Sequence, residues 1–334
     1  MKKAHGTHLK SIYPIGIKRA LIPFEHNGKW GYFDQEGNVV VRPLYDDADA
    51  FSEGLAGVRI SDFWGYINEE GSVVVTPEYH FVGPYVKGQS IVKNSKGYFL
   101  IDQSGVQIKT ITGDFEIDEP IEQAASHGEW IKIQHEERFG YINFSGNIVI
   151  PPQYVESGTF SNGLAWVKSD HGRYSFIDSS GTTTIGLPDH IIPDSFSEGM
   201  AAVRDIHSLK SGFIDTNGQL IIAINLSNPD SFSEGLTTVI INNGKMGYID
   251  LQGHFVIEGA YDEALPFING TALVSIGDKS GFIDKNGDLV VPMQQFDYID
   301  VQSYFLNSSV VLVMQDGKYK YINRHNGKTI FEIQ

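Results

Sequence analysis

The sequence predicts an all-β repeat protein of nine antiparallel, four-stranded units, most simply arranged as a closed β-propeller. Three observations carry this. A word of the form Gly-Tyr/Phe-Ile/Phe-Asp/Asn-x-x-Gly, followed by an apolar run, recurs along the 334 residues and is most regular in Trp64–Tyr79. Its closing glycines are Gly37, Gly71, Gly105, Gly146, Gly181, Gly218, Gly253, Gly287 and Gly327, spaced by 34 to 41 residues. A second word, Phe-Ser-Glu-Gly-Leu-Ala-x-Val, alternates with it and is clearest at 51–58, 160–167 and 196–203. Finally, glycine is abundant (36), aromatics reach 12%, and no long window has apolar residues at helical spacing.

Taken in order, residues 1–10 read as a disordered polar tail, and 11–334 as a single repeat domain. The nine units run approximately 11–50, 51–84, 85–118, 119–159, 160–195, 196–231, 232–266, 267–303 and 304–334. In each, the first strand is the Tyr-Asp-x-Ala segment (Tyr45–Phe51, Tyr261–Phe267), closed by a Ser-Glu-Gly turn. The second is Leu-Ala-x-Val, the third Trp-Gly-Tyr-Ile, the fourth Val-Val-Val-x-Pro. Asp or Asn heads the turn between third and fourth in all nine copies: Asp34, Asn68, Asp102, Asn143, Asp178, Asp215, Asp250, Asp284 and Asn323. A short side-chain oxygen there can accept a backbone N–H two residues on, while glycine takes the left-handed position.

Runs such as Val39-Val-Val, Ile148-Val-Ile and Leu289-Val-Val leave no face for water, so each unit is expected between two neighbours. The glycine after the tryptophan position is expected to admit a neighbour's large side chain. A propeller or an open β-superhelix satisfies these demands. Nine blades exceed the usual range of about four to eight, but neither terminus carries the polar capping unit of an open stack.

Bulk properties exclude several function classes. A net charge of −16 argues against nucleic-acid binding, favours solubility, and leaves a basic protein or a cation as a partner. No cysteine means no thiolate chemistry, and no apolar run is long enough to span a membrane. A cytoplasmic monomer without a cofactor is the expectation. The turn-head carboxylates stand in turns too short for a calcium loop. Gly327-Lys-Thr lacks the upstream glycine of a phosphate-binding loop, since position 322 is Ile322. The eleven histidines show no metal-ligand spacing, and no nucleophile motif appears, so no catalytic residue or metal ligand is assigned.

The phrase carried nearly intact by Lys29–Val58, and repeated from Trp64, resembles the WG (KWG) repeat of bacterial proteins. The resemblance covers residues 11–334, although only Trp30 and Trp64 keep the tryptophan. It implies a bacterial β-repeat scaffold that binds something, and it brings no catalytic residues.

Two sets of candidate binding residues follow. Glu53, Glu198 and Glu234 occupy one turn position, and Asp46, Asp262 and Asp297 another, giving acidic faces suited to a basic partner. Segment 106–135, with Trp130, His127 and its carboxylates, and the stretch 304–309 with Tyr304, break the repeat. Irregular tips are where recognition is commonly grafted, and exposed aromatics there would serve as anchors. The expected function is non-catalytic protein recognition through one rim. The alternatives are a small-molecule or glycan binder using an axial pocket, and an enzyme with its site at the propeller mouth.

Overall fold

A computed structural model describes residues 21–117, 130–241, 244–305 and 309–333. Among them are nine antiparallel sheets, seven of four strands and two of three, with strands paired in chain order. The second sheet sets the pattern with Asp47–Ala48, Leu55–Ile60, Phe63–Asn68 and Val73–Tyr79. Its register runs Ala48↔Val58, Leu55↔Asn68 and Trp64↔Tyr79.

Two compact units are described separately. One holds residues 21–110 with 300–305, and the other holds 111–117, 130–241, 244–299 and 309–333. Within each, the core lies between consecutive sheets. In the first, Tyr66 and Val75 from the second sheet meet Val82, Tyr85 and Val92 of the third. In the second, Tyr248 and Ile257 meet Phe267, Val274 and Ile283 in the same way. The aromatic of the Gly-Tyr/Phe word meets the aromatic before the next Ser-Glu-Gly turn edge-to-face. Centroids are 4.9 Å apart for Tyr32–Phe51, 4.8 Å for Tyr66–Tyr85 and 4.9 Å for Tyr248–Phe267. This geometry adds about 0.5–1.5 kcal/mol per pair beyond burial.

Four expectations are corrected. The first strand is only two residues long where it was read as seven, because Tyr45 still belongs to the preceding sheet as the partner of Trp30. The fourth strand is not closed to water: Val39 is 44% exposed, Val73 52% and Leu289 52%. Of its three leading apolar residues only the third, such as Val41, Val75 or Val291, is buried. The glycine of Trp-Gly-Tyr is crowded first by the backbone of its own sheet rather than by a neighbour's side chain. A Cβ on Gly31 would lie 2.5 Å from the Val41 carbonyl oxygen and 2.7 Å from Pro43 N, within the same sheet. The cause is a bulge, since Trp30 pairs with Tyr45 but Tyr32 with Val41, which places extra fourth-strand residues opposite Gly31. Lastly, a five-residue helix, Val301–Phe305, enters the irregular ninth unit.

Candidate functional site: a rim of interlocked turns

The Ser-Glu-Gly turns connect the first and second strands. Ser52 and Leu55 exchange both backbone hydrogen bonds, at 2.8 and 3.1 Å, around Glu53 and Gly54. Both central residues have positive φ, 51° and 83°, which makes a two-residue turn of the I′ kind. The same pair of angles recurs at Lys87-Gly88, Asn162-Gly163, Glu198-Gly199, Glu234-Gly235 and Asn269-Gly270. Glutamate in the left-handed region costs on the order of 1 kcal/mol, so something must offset it.

The offset comes from the next sheet. Glu53 accepts the N–H groups of Lys87 and Gly88, both at 2.8 Å, across 34 and 35 residues of sequence. Glu198 accepts the Gly235 N–H at 2.7 Å, and Glu234 the Gly270 N–H at 2.9 Å. Asn162 does the same more weakly to Gly199, at 3.1 Å. The preceding serine adds a second latch. The Ser52 hydroxyl donates to the Tyr85 carbonyl at 2.6 Å, and Ser197 and Ser233 donate to Phe232 and Phe267. The glutamate bonds are charge-assisted, and together with the serine and asparagine bonds they fasten one sheet to the next.

The Asp-x-x-Gly turns lie on the same rim, because the residue after the turn head faces the Ser-Glu-Gly turn one sheet back. Gln103 donates to the Glu53 carbonyl at 3.4 Å, and Lys285 Nζ lies 3.2 Å from Glu234 Oε2. The turn heads themselves are occupied internally. Asp34 Oδ1 accepts the Glu36 and Asn38 N–H groups at 3.1 and 2.8 Å, and Asp178 those of Ser180 and Thr182 at 2.9 and 3.0 Å. Hydrogen bonds hold several of these carboxyls below the usual range: the Ser104 and Ser180 hydroxyls act first on Asp102 and Asp178, the Gln219 N–H on Asp215. At the ninth turn, burial and the adjacent Arg324 push His325 down, opposed by Glu234. Glu234, Lys285 and His325 thus bring mixed charge to one part of the rim.

At the opposite end of the sheets, the Tyr-Asp carboxylates are engaged too. Asp46 accepts Lys29 Nζ at 2.6 Å and the Ser61 N–H at 2.7 Å. Asp262 accepts Lys245 Nζ at 2.7 Å and the Gly277 N–H at 2.9 Å. In both, the lysine bond is the main cause lowering the carboxyl pKa. Asp297 accepts the Gly317 N–H at 3.0 Å. Lysine and aspartate stand 17 residues apart in both pairs, linking one sheet to the next.

The remaining candidates fall in different settings. Trp130 opens the second strand of the fourth sheet opposite Asn143, as Leu55 lies opposite Asn68, and packs half-buried 5.9 Å from the Phe160 ring. Tyr304 is fully buried and so is not the exposed anchor that was expected. His127 lies outside the described residues. The structure therefore gathers Glu53 with the Lys87-Gly88 turn, and Glu198 and Glu234 with the turns that follow them, but not the aromatic candidates. Sequence reasoning missed the tyrosine latches. The Tyr66 and Tyr141 hydroxyls donate at 2.6 Å to the Gly83 and Gly158 carbonyls, and Tyr248 donates at 2.7 Å to Leu265. The signal was the constant separation of 17 residues.

Among the described residues no group of three or more His, Asp or Glu side chains could hold a metal ion, and no helix is long and apolar enough to cross a membrane. The model of the WG containing repeat matches residues 30–62, 64–98, 139–171, 212–245, 246–279 and 281–319, more than half of the chain. The chain belongs to the WG-repeat family. No curated protein matches its sequence.

Among solved structures, it is similar to one titled as the eukaryotic initiation factor. Identity is 10%, TM-score 0.60, and the match covers 95% of this chain and 96% of the other. BamB from Moraxella catarrhalis matches at 13% identity and TM-score 0.40, over 86% of this chain and 95% of that one. The C-terminal WD40 domain of Sif2 matches at 11% and TM-score 0.38, over 91% and 98%. At such identities the likeness shows the fold alone. That fold is a β-propeller, its blades the nine antiparallel sheets, as the repeat pattern predicts.

Proposed function

We propose that this protein is a non-catalytic recognition scaffold that holds a partner protein on the rim of interlocked turns. One observation carries the reading: the recurring polar side chains bind the backbone of their own turn or of the next sheet. The repeated words therefore serve architecture, and specificity falls to non-recurring rim residues such as Glu36 and Glu70, both exposed. Among the described residues, the perturbed groups support the same reading. Buried tyrosines are raised by desolvation and turn aspartates are lowered by hydrogen bonds, which is the pattern of structural rather than catalytic groups. The charge of −16 favours a basic partner.

The test is a crosslinked pull-down from the source cell's extract with wild type and a Glu36→Lys, Glu70→Lys variant. A control carries Asp62→Lys, in the hairpin between second and third strands at the other end of its sheet. A protein captured by wild type and control but lost by the rim variant would support the scaffold. If every captured protein is held equally by all three, the rim is not the recognition surface.

A further inference from the structure

The eleven histidines show no ligand spacing in the sequence, yet the fold brings two of them together. His190 and His207 stand 17 residues apart in the chain, and their ring centroids lie 5.6 Å apart with planes inclined by 20°. Both side chains are exposed. His190 leads into the first strand of the sixth sheet, Ile191–Pro193. His207 sits in the hairpin that joins the second strand, Met200–Asp205, to the third, Ser211–Asp215.

Backbone hydrogen bonds fix both positions. The Ile191 N–H donates to the Pro188 carbonyl at 3.0 Å, closing a turn around Asp189 and His190. The Ile206 N–H donates to the His190 carbonyl at 3.0 Å, which ties the two segments together. Asp205 holds the hairpin: its carbonyl accepts the Leu209 N–H at 2.9 Å, and its Oδ1 accepts the His207 N–H at 2.7 Å. This hairpin departs from the repeat. In the second sheet Ser61 and Asp62 alone make the same connection, where the sixth uses Ile206–Lys210. The longer path sets Leu209 at φ 57°, a left-handed conformation that bulky residues rarely adopt. Backbone strain of this kind gathers at binding sites. Since that leucine is 61% exposed, core packing is not what the loop serves; it sets His207 against His190.

We infer that His190 and His207 are the two protein ligands of a site for a late first-row transition-metal dication of the Zn2+ and Cu2+ class. Imidazole suits these metals, whereas Mg2+ and Ca2+ seek oxygen. At metal–nitrogen distances of about 2.0–2.1 Å, two imidazoles on one tetrahedral ion have centroids roughly 5–5.5 Å apart. The observed 5.6 Å is close to that separation, and each exposed ring can turn about χ2 to aim a nitrogen at a shared ion. The Asp205 carboxylate, bonded to the His207 N–H, adds a negative charge beside the pair. No third side chain completes a cluster among the described residues, so the remaining coordination positions are left to water. The site lies at the end of its sheet away from the rim of interlocked turns. It therefore stands or falls independently of the recognition reading.

The experiment is a Zn2+ titration of the full chain labelled with 15N-histidine, read from imidazole resonances assigned through His190→Gln and His207→Gln. The His190 and His207 resonances should shift along one saturable curve, and Mg2+ should move neither. Either variant should weaken Zn2+ binding to the remaining histidine at least about tenfold, the scale on which even outer-shell partners of a metal count. His254→Gln, which removes an exposed histidine beside the Asp250 turn, should leave both signals responding as in wild type. Because both ligands are exposed, the variants should melt without metal at the wild-type temperature. The wild-type titration alone decides the matter if a variant fails to fold. Silent rings, different midpoints for the two rings, or an equal response to Mg2+ overturns the proposal. So does a single variant whose remaining histidine binds Zn2+ as tightly as in wild type.

Discussion

Two tight turns alternate along this chain, and they use their carboxylates in opposite ways. In Asp-x-x-Gly the side chain folds back on its own turn: Asp284 accepts Asn286 and Asp288 N–H groups, both at 2.9 Å. In Ser-Glu-Gly the side chain reaches across to the next sheet, as Glu53 does to Lys87 and Gly88. The turn, not the side-chain length, decides the outcome. In Asp-x-x-Gly the head carboxyl caps N–H groups two and four residues on, whereas from the two-residue turn even the shorter Asn162 reaches the Gly199 N–H of the next sheet. The first kind of turn makes a unit, and the second joins units. In a repeat array stability is the sum of these two terms, so they should fail differently when removed.

The largest expected effect is on joining. Replacing Ser52 and Glu53 together by alanine removes the hydroxyl bond to Tyr85 and both bonds to the 87–88 turn. The cost should be about 2–3 kcal/mol at the scale of buried and charge-assisted hydrogen bonds. Denaturant unfolding should broaden, because the second and third sheets would lose cooperativity. A loss of midpoint with an unchanged slope would mean that the turn only stabilises its own sheet. Tyr66→Phe probes the joining contact in the core. Tyr66 donates to the Gly83 carbonyl and lies 2.6 Å from Ser90 Oγ. Ser90 can still satisfy Gly83, at 2.9 Å, so the expected loss is nearer 1–2 kcal/mol. Phe176 and Phe213 already stand at this place in other sheets, packed against Phe196 and Phe232.

The self-capping turn was legible in the sequence and the joining turn was not. The fold class, the nine units and the Asp/Asn turn heads all follow from local words, whose partners lie within four residues. Glu53 looked like a solvated or docking residue because its partners lie 34 and 35 residues away. A turn glutamate carries no sign of where it reaches. The same locality hid the strand boundary at Tyr45. The sequence there alternates without a break, and the sheet changes only because the bulge at Pro43 returns Tyr45 to pair with Trp30. Trp130 and Tyr304 read as exposed anchors because their surroundings depart from the repeat, yet both lie on core-facing positions. Departure from the repeat at Tyr304 goes with a short helix in the structure, but it gave no sign that the side chain is buried.

A smaller effect compares the two side chains found at the joining position. Glu198→Asn should gain from asparagine's tolerance of the left-handed region and lose through a weaker bond to Gly235. The two terms are similar, and the net change in the unfolding midpoint should be under about 1 kcal/mol. The Gly235 amide, however, should exchange faster with solvent than in wild type. Equal protection would show that asparagine grips as well as glutamate and that the longer side chain confers no advantage.

The smallest effect appears only in acid and falls on the self-capping turn. The Asp178 carboxyl is held below its ordinary 3.8, first by the Ser180 hydroxyl and then by the Ser180 N–H. A carboxyl depressed in the folded state binds its proton more weakly there than in the unfolded chain. Its contribution is therefore complete above the unfolded value and is lost as pH falls through the folded one. Asp102 and Asp215 behave alike, whereas the turn heads Asn68, Asn143 and Asn323 cannot titrate. Asp178→Asn keeps the acceptor oxygen for the Thr182 N–H and removes the proton equilibrium. Stability at neutral pH should change little, and the fall in melting temperature below pH 4 should become shallower. An acid limb as steep as wild type would assign the sensitivity to the lysine-paired Asp46 and Asp262 instead, which join units rather than make them.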